Sequence, residues 1–293
     1  MEVIMNITDA KNIVVKYNEN TSHSEKEDFM VVEALEYLIN ENHDPGDMMY
    51  LGGLYYEWRN FDLALKYYEM AAEYDYDVAY ECLGYIWYYG RTGEKDYKKA
   101  FEYYNKAAER GNIVSKYKVA DMYKNGYYVE KDYEKYKAII EKAYEDVKDA
   151  RNLFDPLPEI FTRLANIRAE EGDKEEALRL FEIARDFLSQ RIQYNPFFGN
   201  LTIMKWLVID MYKLTDVDMD DLKLYDLYEV LRRPCEVEVG IGSQKVKVKS
   251  ELDEGAIAIE MNGKWFRNID DFYRDAVVDG KRITDYGEMS IIY

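Results

Sequence analysis

The chain's hydrophobic and polar positions repeat in blocks. Leu51-Gly52-Gly53-Leu54-Tyr55 is followed by Ala64 and by Ala71-Ala72. Leu83-Gly84-Tyr85-Ile86-Trp87 is followed by Ala100 and by Ala107-Ala108, and Val119-Ala120-Asp121-Met122-Tyr123 by Tyr136 and Ala143. The step from Ala64 to Ala100 is 36 residues and that from Ala100 to Tyr136 is 36 again, with Ala71, Ala107 and Ala143 in the same register. A large residue, a small one, then an aromatic one turn on is one face of a helix. The small residue (Gly52, Gly84, Ala120) lets a second helix approach, with Ala64 and Ala100 as its expected counterparts. Gly90, Gly111 and Gly126 stand where helices should stop. Asp96 and Asp132 stand where second helices should start, as side-chain caps for free N–H groups. One such pair cannot bury its own apolar face, so the units must stack.

A fourth unit follows the break at Asp155-Pro156-Leu157-Pro158. It has Leu164-Ala165-Asn166, Gly172, then Ala177 and Ala184, and Asp173 to Glu176 has capping-box spacing. The pattern predicts units over 47–76, 78–111, 113–147 and 158–191, a degenerate fifth pair over 201–231, and capping helices within 1–46. The fold class is mainly α: a right-handed superhelical stack of antiparallel helix pairs, an α-solenoid, over 1–231. From 232 to 293 a small β-rich α+β module is expected. Cys235 to Val239 and Gln244 to Lys249 alternate as half-buried strands do. Gly240 to Ser243 suits a turn, and Asn262-Gly263 marks a hairpin. Residues 269–278 read as one helix stopped by Gly280, and 290–293 as a last strand.

The segment Ala79 to Asn112 resembles a Sel-one-like repeat. It has Leu83-Gly84, the Gly90 loop, Asp96-Tyr97-Lys98-Lys99-Ala100 and Tyr103 to Gly111. The likeness to the tetratricopeptide and Sel-one-like repeat family extends over about 47–146, and residues 158–191 resemble a plain tetratricopeptide unit. Tyr136 departs from the pattern, where a small residue is usual, and predicts looser packing in the third unit. The resemblance implies a scaffold that binds peptides or protein surfaces, and brings no catalytic residues. In such a stack the first helix of each pair lines the concave surface. That assigns Met49, Gly53, Tyr56, Glu81, Tyr85, Tyr88, Tyr117, Asp121, Lys124, Thr162 and Asn166 to a groove. Rigid aromatic anchors beside a few charges suit a peptide-binding surface; the competing assignment is that these tyrosines only seal neighbouring helices.

Composition sharpens this picture. Tyrosine is abundant, at 30 residues against 11 Phe and 4 Trp, and a Tyr ring packs as an apolar group while its hydroxyl reaches outward. The net charge is −19, with 58 acidic and 39 basic residues. Such a body repels nucleic acid and anionic membrane surfaces and favours a protein or peptide partner of basic character. No apolar run approaches the roughly 20 residues of a membrane span, and the N-terminal residues lack a signal-peptide pattern. With two cysteines, Cys82 and Cys235, that form neither a disulfide framework nor a zinc spacing, the chain is expected in the cytoplasm.

Little points to chemistry. The two histidines, His23 and His43, lie in polar, turn-like stretches, and Cys82 sits within a helix as a small buried group would. Asp216 to Asp221 begins like a calcium loop but holds Asp221 and Leu227 where Gly and Glu are required. Gly240-Ile241-Gly242 leads into a strand and cradles no phosphate. No catalytic residue, metal site or cofactor is expected. The leading function is an adaptor binding a protein segment. The alternatives are an immunity or inhibitor protein directed at a basic toxin or nuclease, and a ligand-binding or enzymatic role for the C-terminal module.

Overall fold

A computed structural model describes residues 5–20, 22–150, 156–194, 198–214, 227, 231, 234–253, 256–286 and 289–292. The chain divides into two compact units, residues 1–139 and 140–293.

The first unit is built of helices α1 (Ile7–Glu19), α2 (Glu25–Asn42), α3 (Pro45–Glu57), α4 (Phe61–Glu73), α5 (Asp77–Tyr89), α6 (Tyr97–Glu109), α7 (Ile113–Asn125) and the start of α8 (Tyr133–Val147). Consecutive helices pair, α1 with α2, α3 with α4, and α5 with α6. The caps follow the sequence signals. Ser24 and Glu27 close a capping box on α2. Asp96 accepts from the Lys99 N–H and Asp132 from the Lys135 N–H. α5 and α7 end at Gly90 and Gly126 in left-handed backbone, with φ of 64° and 71°. Gly90 admits no side chain, since a Cβ there would lie 2.8 Å from the Lys95 backbone nitrogen.

The close crossings are not helix on alanine. A Cβ on Gly52 would lie 2.6 Å from the Tyr68 ring, and one on Gly84 would lie 2.5 Å from the Tyr104 ring. Ala64 and Ala100 are fully buried, but the residue one turn further along each second helix fills the gap. The reason is volume: a glycine opposite an alanine leaves a void that close packing does not tolerate, and an aromatic ring laid flat across the glycine fills it. The register-equivalent residues are Ala120 and Ile140 in the third repeat and Ala165 and Phe181 in the fourth. Tyr136 is fully buried with the Lys124 ammonium 4.8 Å from its ring centroid, which overturns the expectation of loose packing around it.

The second unit begins within α8 and continues with α9 (Leu157–Glu170), α10 (Lys174–Tyr194) and α11 (Phe198–Lys213). α9 pairs with α10, and α10 with α11. Asp173 caps α10 through the Glu176 N–H, while the Glu176 carboxylate is held by both ends of Arg179. Ala165, Ala177, Leu180, Phe181 and Ala184 are buried without a polar side-chain atom among them. Glu159 and Arg191 bridge α9 and α10 at 2.8 Å, with side chains only 13% and 12% exposed. The helix expected over 218–231 lies outside the described residues apart from Leu227 and Leu231; the calcium-like stretch 216–221 lies wholly outside them.

The strands are β1 (Cys235–Ile241), β2 (Gln244–Asp253), β3 (Ala256–Met261), β4 (Lys264–Phe266) and β7 (Met289–Ile292), in the antiparallel order β4-β3-β2-β1-β7. Gly240 is the penultimate residue of β1 and not part of the turn, which is Gly242-Ser243 alone, with Gly242 at φ 60°. Val239, Ile241, Val246, Val248, Ile259, Met261 and Phe266 form a core with Leu227, Leu231 and Phe272. Cross-strand pairs Glu236–Lys249 and Glu238–Lys247 occupy the alternate positions. The helix α12 (Ile269–Asp275) ends three residues earlier than its pattern suggests. Asp279 and Gly280 both have positive φ, 47° and 79°, which is the backbone of a tight hairpin turn. That turn draws Val277–Val278 (β5) into pairing with Lys281–Arg282 (β6).

Candidate functional site

A layer of tyrosines runs along α3 and α5 towards α7. Tyr56 meets Phe61 at 5.2 Å and Tyr85 at 6.0 Å between ring centroids. Tyr85 meets Tyr89 at 4.4 Å, and Tyr88 meets Tyr89 at 4.9 Å. Tyr88 also packs on Tyr97, Tyr104 and Tyr127, so it is more an internal strut than a surface anchor. Tyr89 is the open member, 39% exposed.

Two cations are seated on this layer. The Arg91 guanidinium lies 5.5 to 6.0 Å from the centroids of Tyr56, Phe61, Tyr85 and Tyr89, and its Nη2 donates to the Tyr85 hydroxyl at 3.1 Å. The Lys118 ammonium lies 5.3 to 5.5 Å from Tyr88, Tyr89 and Tyr117 and donates to the Tyr89 hydroxyl at 3.1 Å. Ring quadrupoles attract such cations. Burial lifts the Tyr56 phenol to about 12 despite the nearby guanidinium.

Beneath the layer, the glycine gaps carry hydroxyls through. Tyr68 crosses Gly52, and its hydroxyl lies beside Cys82. Burial pushes the Cys82 thiol up to about 12, which leaves it protonated and unreactive at neutral pH. Tyr104 crosses Gly84, and burial first, then the nearby Tyr89, Tyr117, Glu81 and Tyr85, raise its phenol. Among the described residues the Tyr104 hydroxyl is buried without a hydrogen-bond partner, as is Ser115 Oγ. Glu81 accepts from Asn112 Nδ2 at 2.7 Å. Burial raises its carboxyl above the ordinary range, with Asn112 and Lys118 opposing the rise.

The residues assigned to the groove therefore fall in several environments. Tyr56, Tyr85 and Tyr88 share one layer with Glu81 beside them. Met49 is half-buried against the apolar cores around Leu51 and Leu83. Gly53 faces open space. Tyr117 is only 8% exposed and does not reach the surface; the Lys118 ammonium lies 5.5 Å from its ring centroid. Asp121 is half-buried, and burial first, then the Asp121 charge, raise the Tyr88 phenol. Lys124 is turned onto Tyr136. Thr162 and Asn166 belong to the second unit, where Asn166 Nδ2 donates to Asp210 Oδ2 at 3.2 Å and Thr162 Oγ1 is buried without a partner. Tyr89, Arg91, Lys118 and Tyr104 were not expected here. Tyr89 and Arg91 flank the Gly90 helix stop, and that adjacency was the available signal.

Family comparison decides what these helix pairs are. A profile of the Sel1 repeat matches residues 46–73, 78–112 and 113–140. Residues 46–140 carry Sel1 repeats. Among solved structures, a Sel1 repeat protein from Oxalobacter formigenes superposes with a TM-score of 0.55 at 23% identity, covering 77% of this chain and 85% of that one. A protective antigen of uropathogenic Escherichia coli, displaying an SLR fold, gives 0.51 at 19% identity over 77% of this chain; the match spans about half of that protein, 52%. These likenesses concern the fold. No curated protein matches the chain. Sel1 and tetratricopeptide repeats are generally non-enzymatic scaffolds for protein–protein interaction. The Sel1 repeats here contain the whole tyrosine layer from Tyr56 to Lys118.

The remaining chemical candidates are structural. His23 stacks on Tyr17 at 3.6 Å, and its Nε2 lies 2.7 Å from the Tyr17 carbonyl oxygen. His43 ends α2 in left-handed backbone. Among the described residues no group of three His, Cys, Asp or Glu is arranged to hold a metal ion, and no helix is long and apolar enough to cross a membrane.

Proposed function

We propose that the protein is a scaffold that holds a protein segment on the tyrosine layer of its Sel1 repeats, with Tyr56, Tyr85, Tyr89, Arg91 and Lys118 at the contact. The observation that carries the reading is Tyr89: a large ring left open on the first-helix face, packed at a tilt against Tyr85 and flanked by two cations. Rigid, amphipathic rings lose little entropy on binding and dominate the energetics of interfaces. Helix crossings that needed only sealing would be served by apolar side chains, as at Ala165 and Phe181 in the fourth pair. The wider acidic surface favours a partner that is basic overall and steers it in. Met49, Glu81 and Asp121 would border the contact; Tyr88 and Tyr117 would support it from below. We place residues 232–293 in a separate module whose core Leu227 and Leu231 complete, outside this role, and the compartment in the cytoplasm.

The test is site-specific photo-crosslinking in the producing cell, with p-benzoylphenylalanine at position 89 and, as control, at Glu102, an exposed position of α6. Defined protein adducts from position 89 and none from position 102 are expected. Adducts only from position 102 would move the interface to the second-helix face.

A further inference from the structure

We infer that the loops after α3 and α5 form a site for one phosphate group carried on a flat ring, with Arg59 and Arg91 on the phosphate and Trp58 beside the ring. The site goes beyond the scaffold reading and shares only Arg91 with it. Arg59, Arg91 and Thr92 line a single cavity of about 410 Å³ together with Trp58 and Phe61. Arg59 stands in left-handed backbone, at φ 62°. In the second, third and fourth pairs the residue at that helix stop is glycine: Gly90, Gly126 and Gly172, at 64°, 71° and 87°. Glycine takes this conformation without steric cost, and a residue with a side chain does not. The first pair therefore keeps a guanidinium where folding alone favours none.

The charges on this wall are not neutralised from within. Acidic side chains outnumber basic ones by 58 to 39, yet among the described residues neither Arg59 nor Arg91 makes an ion pair. Arg91 donates through Nη2 to the neutral Tyr85 hydroxyl, and its Nε is buried without an acceptor among the described residues, a bond that buried polar groups seldom lack. The corresponding loop of the third pair is different. Its cavity of about 460 Å³ sets Glu130 and Asp132 beside Lys131 and Lys135, and Lys135 pairs with Asp132 at 3.6 Å.

Guanidinium groups meet phosphate through parallel, charge-assisted N–H bonds. The terminal oxygens of a phosphate diverge, so guanidiniums from two loops and the Thr92 hydroxyl can each take a different one. A carboxylate has two oxygens in one plane and is matched by a single fork. Four surrounding rings hold Arg91 in place, which lowers the entropy lost on binding. Trp58 is 38% exposed and offers ring surface next to the cations. Asp62 is the one acid on the wall and leaves it a single net positive charge. With the wider charge of −19, that suits one phosphate and opposes a polyphosphate chain. A phosphotyrosyl side chain and a nucleoside monophosphate share this chemistry.

The test is calorimetric titration of the full chain, at fixed ionic strength, with phenyl phosphate, adenosine monophosphate, inorganic phosphate, benzoate and adenosine triphosphate. At least one of the two monoesters should bind about tenfold or more tightly than the other three probes. The tighter monoester names the source, a phosphotyrosyl side chain or a nucleotide. Arg59→Gly supplies the residue that the backbone favours, so it should melt at or above the temperature of the unaltered chain. It should nevertheless weaken binding of that monoester about tenfold or more. Affinity unchanged by Arg59→Gly, benzoate binding as tightly as phenyl phosphate, or no binding of either monoester would overturn the site. A lower melting temperature for Arg59→Gly would show that the guanidinium serves folding, and would overturn it too. Arg59→Gly leaves Tyr85, Tyr89 and Arg91 in place, so each of these failures leaves the tyrosine face standing.

Discussion

The pairs α5–α6 and α9–α10 follow one sequence pattern and solve the same packing problem with different chemistry. In α5–α6 a glycine admits the ring of Tyr104, which packs on Tyr88 of the tyrosine layer. In α9–α10 the register-equivalent residues are Ala165 and Phe181, both fully buried, so no hydroxyl lies at that crossing; the pair's buried polar groups stand away from it, in the Glu159–Arg191 bridge and at Thr162. The crossing of the fourth pair is wholly apolar. The second carries polar groups that packing alone does not require, and a buried hydroxyl without a partner costs about 1–3 kcal/mol. The difference teaches that stability is conceded where the first-helix face is furnished with hydroxyls and cations.

Four substitutions can break or sharpen this contrast. Arg191→Met should have the largest effect, about 3–5 kcal/mol, because it strands the Glu159 carboxylate between helices; an unchanged urea midpoint would show that bridge to be dispensable. Gly84→Leu should cost about 1–3 kcal/mol by driving side-chain atoms into the Tyr104 ring, whereas Ala165→Gly should cost only about 1 kcal/mol through helix propensity. Equal losses in calorimetric melting would erase the distinction between the two crossings. Tyr104→Phe should raise stability by about 1 kcal/mol, since it removes an unpartnered buried hydroxyl and reproduces the fourth pair's chemistry; a fall in Tm would mean that the hydroxyl is satisfied.

The smallest effect concerns pH. Burial raises the Glu81 carboxyl above its usual range, so the folded chain binds that proton more tightly than the unfolded one. This contribution to stability falls as pH rises from the ordinary carboxylate value through the raised one. Glu81→Gln should remove that part of the slope. Parallel stability–pH curves for the two proteins would refute the assignment.

Much of this was legible in the sequence, for identifiable reasons. Helix ends were fixed by local chemistry, such as Asp96, Asp132, Gly90 and Gly126, whose effect is exerted within one turn. Strand alternation and the Asn262-Gly263 hairpin are equally local. What stayed hidden depends on contacts between elements. Periodicity places Gly84 at a crossing but does not say that a ring from four residues beyond Ala100 fills it. It puts Tyr117 on the first-helix face without showing that its ring is buried there. The tyrosine face was anticipated through Tyr56, Tyr85 and Tyr88. The exposed ring and its cations were not, because Tyr89, Arg91 and Lys118 come together only when a helix end, a loop and the next helix are assembled. At Val277–Val278 a two-residue turn overrode a helical pattern.

The central claim is that the tyrosine layer of the Sel1 repeats is the binding face. Its most direct test is calorimetric titration of the partner captured at position 89 with the unaltered chain and with a Tyr85→Ala, Tyr89→Ala variant of matched melting behaviour. The expected result is a loss of about 2 kcal/mol or more, roughly thirtyfold in Kd. An affinity unchanged within twofold would contradict it.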